Sequence, residues 1–114
     1  MIERVNPIEL TDNETGKKYT LDFSRDIVRR AERNGFSLGE CEKFPSMFSD
    51  LFYYSFLMNH EREITRKRTD ALLDDLGGIG GAPDGLFGRL CDLYVQTYSS
   101  LVGDEKNGRV TVSF

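Results

Sequence analysis

The sequence predicts an α+β fold, mainly α: an N-terminal β-hairpin, then a bundle of about four helices, then a short C-terminal strand. Three observations predict it. Residues 8–23 alternate apolar and polar positions on both sides of a turn-forming run. Four later stretches, within residues 24–102, carry apolar residues at helical spacing. Residues 109–114 return to a period of two. At 114 residues the chain reads as a single domain (1–114), with 39% apolar residues for a core and 30% charged residues for its surface.

In the hairpin, Ile8 and Leu10 alternate with Glu9 and Thr11, and Tyr19, Leu21 and Phe23 alternate with Lys18, Thr20 and Asp22. Between them lies Asp12-Asn13-Glu14-Thr15-Gly16, in which Gly16 is free to take a positive φ. The oxygen-rich run fails as a calcium loop, because its glycine stands at the fifth position and Phe23 occupies the twelfth.

Ser24 is placed to cap the first helix, with Phe23 and Val28 as a hydrophobic staple, and Gly35 is placed to end it. Ile27, Val28 and Ala31 form its apolar face. Its outer face carries Arg25, Arg29, Arg30 and Arg33, which read either as a strip for phosphate or an acidic partner, or as a solvated face paired with Asp26 and Glu32. Residues 36–43 read as a loop.

Pro45 is suited to opening a second helix. Phe44, Phe48, Leu51, Phe52 and Ser55 share one face, and Tyr54, Phe56, Leu57 and Met58 cover much of the rest, so this helix is expected at the centre. The alternative is that Tyr53 and Tyr54 face outward as part of a binding surface, a role that suits an apolar ring with a polar tip.

A third helix is expected from Thr65 through Leu76, with Leu72, Leu73 and Leu76 along its apolar edge. Its charges run against the helix dipole: Arg66, Lys67 and Arg68 crowd the positive end, and Asp74 and Asp75 the negative end. An acidic partner would explain the basic cluster, and so would a continuous helix over 46–76 with no free end at Thr65. Gly77 to Gly81 reads as a flexible joint and lacks the spacing of a phosphate loop.

Pro83 or Asp84 is expected to open the last helix, which ends near Val102. Phe87, Cys91, Tyr94, Tyr98 and Leu101 step by four and three along a core-facing stripe, flanked by Leu86, Leu90, Leu93 and Thr97. Residues 103–114 form a tail. Val110, Val112 and Phe114 alternate with Arg109, Thr111 and Ser113, either as a third strand on the hairpin, which is favoured because a lone hairpin is marginal, or as an arm that pairs with another chain.

Composition narrows function by exclusion. Fifteen Lys and Arg against nineteen Asp and Glu give a net charge of −4, unlike a general nucleic-acid binder. No apolar run approaches the ~20 residues of a membrane span, and the start lacks the pattern of a secretion signal, so a cytoplasmic protein with reduced thiols is expected. Two cysteines and one histidine make no zinc cage. Cys41 sits between two glutamates, which disfavours a thiolate, and Cys91 lies on an apolar stripe. His60 lacks the second histidine of a zinc-protease pattern, since position 64 is Ile, and reads as a helix-end residue near solvent. No nucleophile, acid–base or metal constellation is visible, so no enzyme and no cofactor are expected.

The order of several segments resembles a known family. Thr20 to Val28, Glu32 to Phe36, Phe52 to Phe56 with Asn59-His60, and Thr69-Asp70 before Leu72 to Gly78 are similar to small proteins of prophages in Gram-positive bacteria. These in turn resemble the tail assembly chaperones of phages with long non-contractile tails. The resemblance covers roughly residues 8–100, and none of its motifs is catalytic. It implies an assembly factor, absent from the finished virion, that coats the tape measure protein, helps recruit tail tube protein and self-associates along its guest. In many relatives a frameshift makes a longer second product, and this chain would correspond to the short one. The residues to which partner binding is assigned are Tyr53, Tyr54, Arg66, Lys67 and Arg68. The competing readings are another phage structural or morphogenesis component, of the head–tail connector type, and a small nucleic-acid-binding regulator using the arginine-rich helix.

Overall fold

A computed structural model of the chain describes residues 4–81, 85–102 and 109–114. Two strands, β1 (Ile8–Thr11) and β2 (Lys18–Leu21), are followed by helices α1 (Arg25–Arg33), α2 (Ser46–His60), α3 (Arg66–Asp75), the short α4 (Gly78–Gly81) and α5 (Leu86–Val102). The fold is thus a β-hairpin carried on a helical body, α+β and mainly α, as the sequence predicts.

The hairpin pairs Ile8 with Leu21, Glu9 with Thr20, Leu10 with Tyr19 and Thr11 with Lys18. Gly16 closes the turn at φ 75° and donates to Asp12 O at 2.7 Å. Tyr19 and Leu21 are buried on the face that meets α2. Ring contacts fix the seam: Tyr19 meets Phe56 edge-on at 5.3 Å, and Phe56 meets Phe52 at 5.0 Å. Such edge-to-face pairs add about 0.5–1.5 kcal/mol beyond their buried area.

Helix α1 starts where its cap predicts. Ser24 Oγ accepts from the Ile27 amide at 3.2 Å, and Gly35 ends the helix at φ 89°. Helix α2 is the central element, burying Leu51, Phe52, Ser55, Phe56 and Leu57. Phe44 is a correction: it precedes Pro45 in the entering turn, falls off the α2 face and is exposed. Met58 is exposed as well.

A continuous helix over 46–76 does not form. The chain turns at 61–65, and Thr65 Oγ1 caps α3 by accepting from the Arg68 amide at 3.1 Å. The glycine run forms a single helical turn. Gly77 leaves α3 at φ 86°, and the Gly81 amide donates to Gly77 O at 3.1 Å to close the single turn of α4. A Cβ on Gly77 would lie 3.1 Å from the Gly81 Cα, and one on Gly81 would lie 3.0 Å from Leu76 O, so backbone packs on backbone here.

The predicted start of the last helix at Pro83 or Asp84 lies outside the described residues. The α5 helix covers the core with Leu90, Leu93 and Tyr94. Its predicted stripe is corrected at the far end: Tyr98 and Leu101 continue the line of Tyr94 but are exposed. The predicted third strand is also corrected. Among the described residues the sheet has two strands, and residues 109–114 lie exposed without a ladder. The outer edge of β2 is closed to them because α2 already occupies it: Thr20 N–H donates to His60 Nε2 at 2.9 Å, Asn59 Nδ2 donates to Thr20 O at 3.3 Å, and Asp22 N–H donates to Ser55 O at 3.0 Å.

Candidate functional site

Of the five residues assigned to partner binding, the fold brings three together. Tyr53 and Tyr54 are neighbours on α2 and both half-buried, with ring centroids 5.4 Å apart. Arg66, from the first turn of α3, lies over the Tyr53 ring at 4.8 Å. The same guanidinium pairs with Asp50 on α2. With Arg30 and Asn34 from α1 these groups line a shallow cleft of about 350 Å³. Phe36 lies beneath Tyr54 at this cleft, with ring centroids 6.3 Å apart.

Arg68 is not part of that cleft. It reaches the opposite way, to the buried carboxylate of Asp12 in the hairpin turn. Lys67, between them, is exposed. The charge reversal in α3 therefore has an internal cause. Arg66 and Arg68 tolerate the positive helix end because each holds a carboxylate on another element. Burial alone would raise the Asp12 carboxyl, but hydrogen bonds from the Glu14 amide and the Thr15 hydroxyl, with the Arg68 charge, outweigh it and hold the group below its ordinary value.

The arginine face of α1 is largely engaged too. Arg29 pairs with Asp26 at 2.9 Å and Arg30 with Glu61 at 2.6 Å. Arg25 donates to Ser100 Oγ at 3.2 Å and to Ser100 O at 2.9 Å, tying α1 to the far end of α5. Of the two expected partners, Asp26 holds Arg29, while Arg30 and Arg25 are held by Glu61 and Ser100 instead.

His60 corrects the sequence reading. It does end α2, but its side chain is only 14% exposed. Its Nε2 accepts the Thr20 amide, so the neutral ring carries its proton on Nδ1, which donates to Glu63 Oε2 at 2.9 Å. Lys17 joins Glu63 at 3.2 Å, and these hydrogen bonds, His60 first, hold the Glu63 carboxyl below its ordinary value. Both imidazole nitrogens are committed to structure, leaving neither to a reacting group. Burial pushes both thiols up, Cys41 with a further push from Cys91, which disfavours nucleophilic reactivity. Burial also pushes the Tyr94 phenol up to about 12.

Among the described residues no group of three or more His, Cys, Asp or Glu is placed to hold a metal ion, and no helix is long and apolar enough to cross a membrane. The surface feature that sequence reasoning missed lies on α5. Val95, Tyr98 and Leu101, at 46%, 47% and 37% exposure, follow one another at a spacing of three and form an exposed apolar ledge on α5. The stripe was visible in the spacing, but where its cover stops is a tertiary property with no local signal.

These features define a small α+β chain whose surface offers one aromatic–arginine cleft and one apolar ledge. The chain belongs to the family described as a domain of unknown function (DUF5055), which it matches over residues 1–114. No curated protein and no solved structure matches it.

Proposed function

We propose that this chain is a non-catalytic protein-binding module that acts as a phage tail assembly chaperone, keeping a long helical tape measure protein soluble while tail tube subunits are recruited. The observation that carries the reading is the ledge of Val95, Tyr98 and Leu101. An uncovered apolar strip on one side of a helix is the surface on which an amphipathic guest helix lays its own apolar side. Leu51, Phe52, Phe56 and Leu57 of the aromatic segment are not available for that purpose, since they fill the core. The cleft of Tyr53, Tyr54 and Arg66 adds a second contact of the type enriched at interfaces. That both ring nitrogens of His60 are held by hydrogen bonds within the fold, and that burial raises both thiols, supports a role without chemistry. The engaged arginines of α1 and α3 weigh against the nucleic-acid regulator.

Co-expression with the tape measure protein of the same phage tests this. The two proteins should co-purify, and the guest should stay soluble only in the presence of this chain. Tyr98→Lys with Leu101→Lys should abolish co-purification while leaving the unfolding free energy within the small range of surface substitutions, about ±0.5 kcal/mol each. Failure of the parent chain to hold the guest, or its presence in purified virions, overturns the reading.

A further inference from the structure

The hairpin has two edges, and α2 closes one of them. On β2 the Thr20 N–H and C=O point outward to His60 and Asn59. Thr20 faces Glu9 across the ladder, so theirs is a pair that exchanges no hydrogen bonds, and the Glu9 N–H and C=O point away from β2 as well. Thr11, opposite Lys18, repeats the arrangement. Among the described residues no backbone group meets these two N–H and two C=O groups. Pro7 offers no N–H two residues earlier, so the open edge is short and centred on Glu9 to Thr11.

Alongside this edge runs a groove of about 660 Å³. Ile8 and Leu10 from β1 line it, with Leu76 beyond α3 and Leu86 and Arg89 on α5. A strand added to β1 would set every second side chain on the Ile8 and Leu10 face, in that groove. The chain carries such a strand. Val110, Val112 and Phe114 alternate with polar residues and stand exposed at 83%, 70% and 116%.

We infer that residues 110–114 of one copy add to the outer edge of β1 in a second copy, forming a third strand with Val110, Val112 and Phe114 in the groove. Each molecule displays both halves of the contact without joining them to each other, which is the arrangement of a head-to-tail contact between copies. The addition satisfies the Glu9 and Thr11 backbone groups and removes three apolar side chains from water. The identity of any guest protein does not enter.

Sedimentation of the full chain over a concentration series tests this. The parent associates reversibly. Val112→Asp puts a charge where the groove takes an apolar side chain, and Glu9→Pro removes the outward N–H of β1, so each alone weakens association by about tenfold or more. An equimolar mixture regains a mixed dimer, because one variant keeps an intact edge and the other an intact tail. Should Glu9→Pro lose its helical circular dichroism, Leu86→Asp in the groove takes its place in the mixing. A parent that stays monomeric, variants that associate like the parent, or a mixture that gains nothing each overturns the inference. So does a monomer whose Glu9 and Thr11 amides are protected from exchange, since its own tail would then hold the edge.

Discussion

The Nε2 of His60 accepts the amide of Thr20 at 2.9 Å across 40 residues of sequence, making the last residue of α2 part of the hairpin's outer edge. The ring also stands edge-on to Tyr19 at 5.1 Å. The single histidine is thereby a joint between sheet and helix.

His60→Ala removes that acceptor and the donor to Glu63 together. The expected loss of unfolding free energy is about 1–2 kcal/mol, the range for a deprived backbone donor. Urea unfolding measures it, and an unchanged midpoint would show the joint to be idle.

Acid should weaken the fold through Asp12 and Glu63. Both carboxyls sit below their ordinary values of 3.8 and 4.5, so the unfolded chain binds protons more readily than the folded one. Their contribution is complete above the ordinary values and is lost as pH falls through the lower folded ones. Asp12→Asn keeps the side-chain oxygen that accepts from the turn but loses the charge that Arg68 faces. Its unfolding midpoint should vary less with pH in the acid range than that of the parent, and parallel curves would remove Asp12 from the account.

Phe52 is fully buried and touches Phe56 at 5.0 Å and Phe87 at 6.4 Å. Phe52→Ala should cost about 3–5 kcal/mol, a large part of the stability of a domain this size. Denaturant titration reads the loss directly. A cost below 1 kcal/mol would mean the centre of α2 can collapse around the gap.

The thiols should be slow. Cys41 is buried and Cys91 half-buried, and burial raises both. A thiol reagent at neutral pH should label the native chain far more slowly than the chain in denaturant, where both react at the rate of free cysteine. Rapid native labelling of Cys41 would contradict the packing around it.

Much of the fold was legible in the sequence because its signals are local. The Asp12 to Gly16 turn, the Ser24 cap and the Gly35 stop each act within a few residues, and the structure reproduces them. The failures share a different cause. The Arg68–Asp12 pair spans 56 residues, so the charge pattern of α3 looked faulty until its partner element was in place. The α4 turn forms because glycine lets Gly77 and Gly81 approach, the same freedom that reads as looseness in a string. The terminal alternation of Val110, Val112 and Phe114 predicted a third strand that is not formed among the described residues, because alternation alone supplies no edge to join. Of the candidate site, Tyr53, Tyr54 and Arg66 were visible as residue types, whereas which residues of α5 stay uncovered is set by the packing of distant elements.

The dependence of β2 on α2 also has a consequence for biosynthesis. The hairpin leaves the ribosome before α2, and the groups that close its outer edge, Asn59 and His60, follow Thr20 by 39 and 40 residues. At roughly 5–20 residues per second, the newborn sheet waits about 2–8 seconds for them. During that interval both margins of the nascent hairpin are open, and a cell making many copies from one message holds them close together at that vulnerable moment.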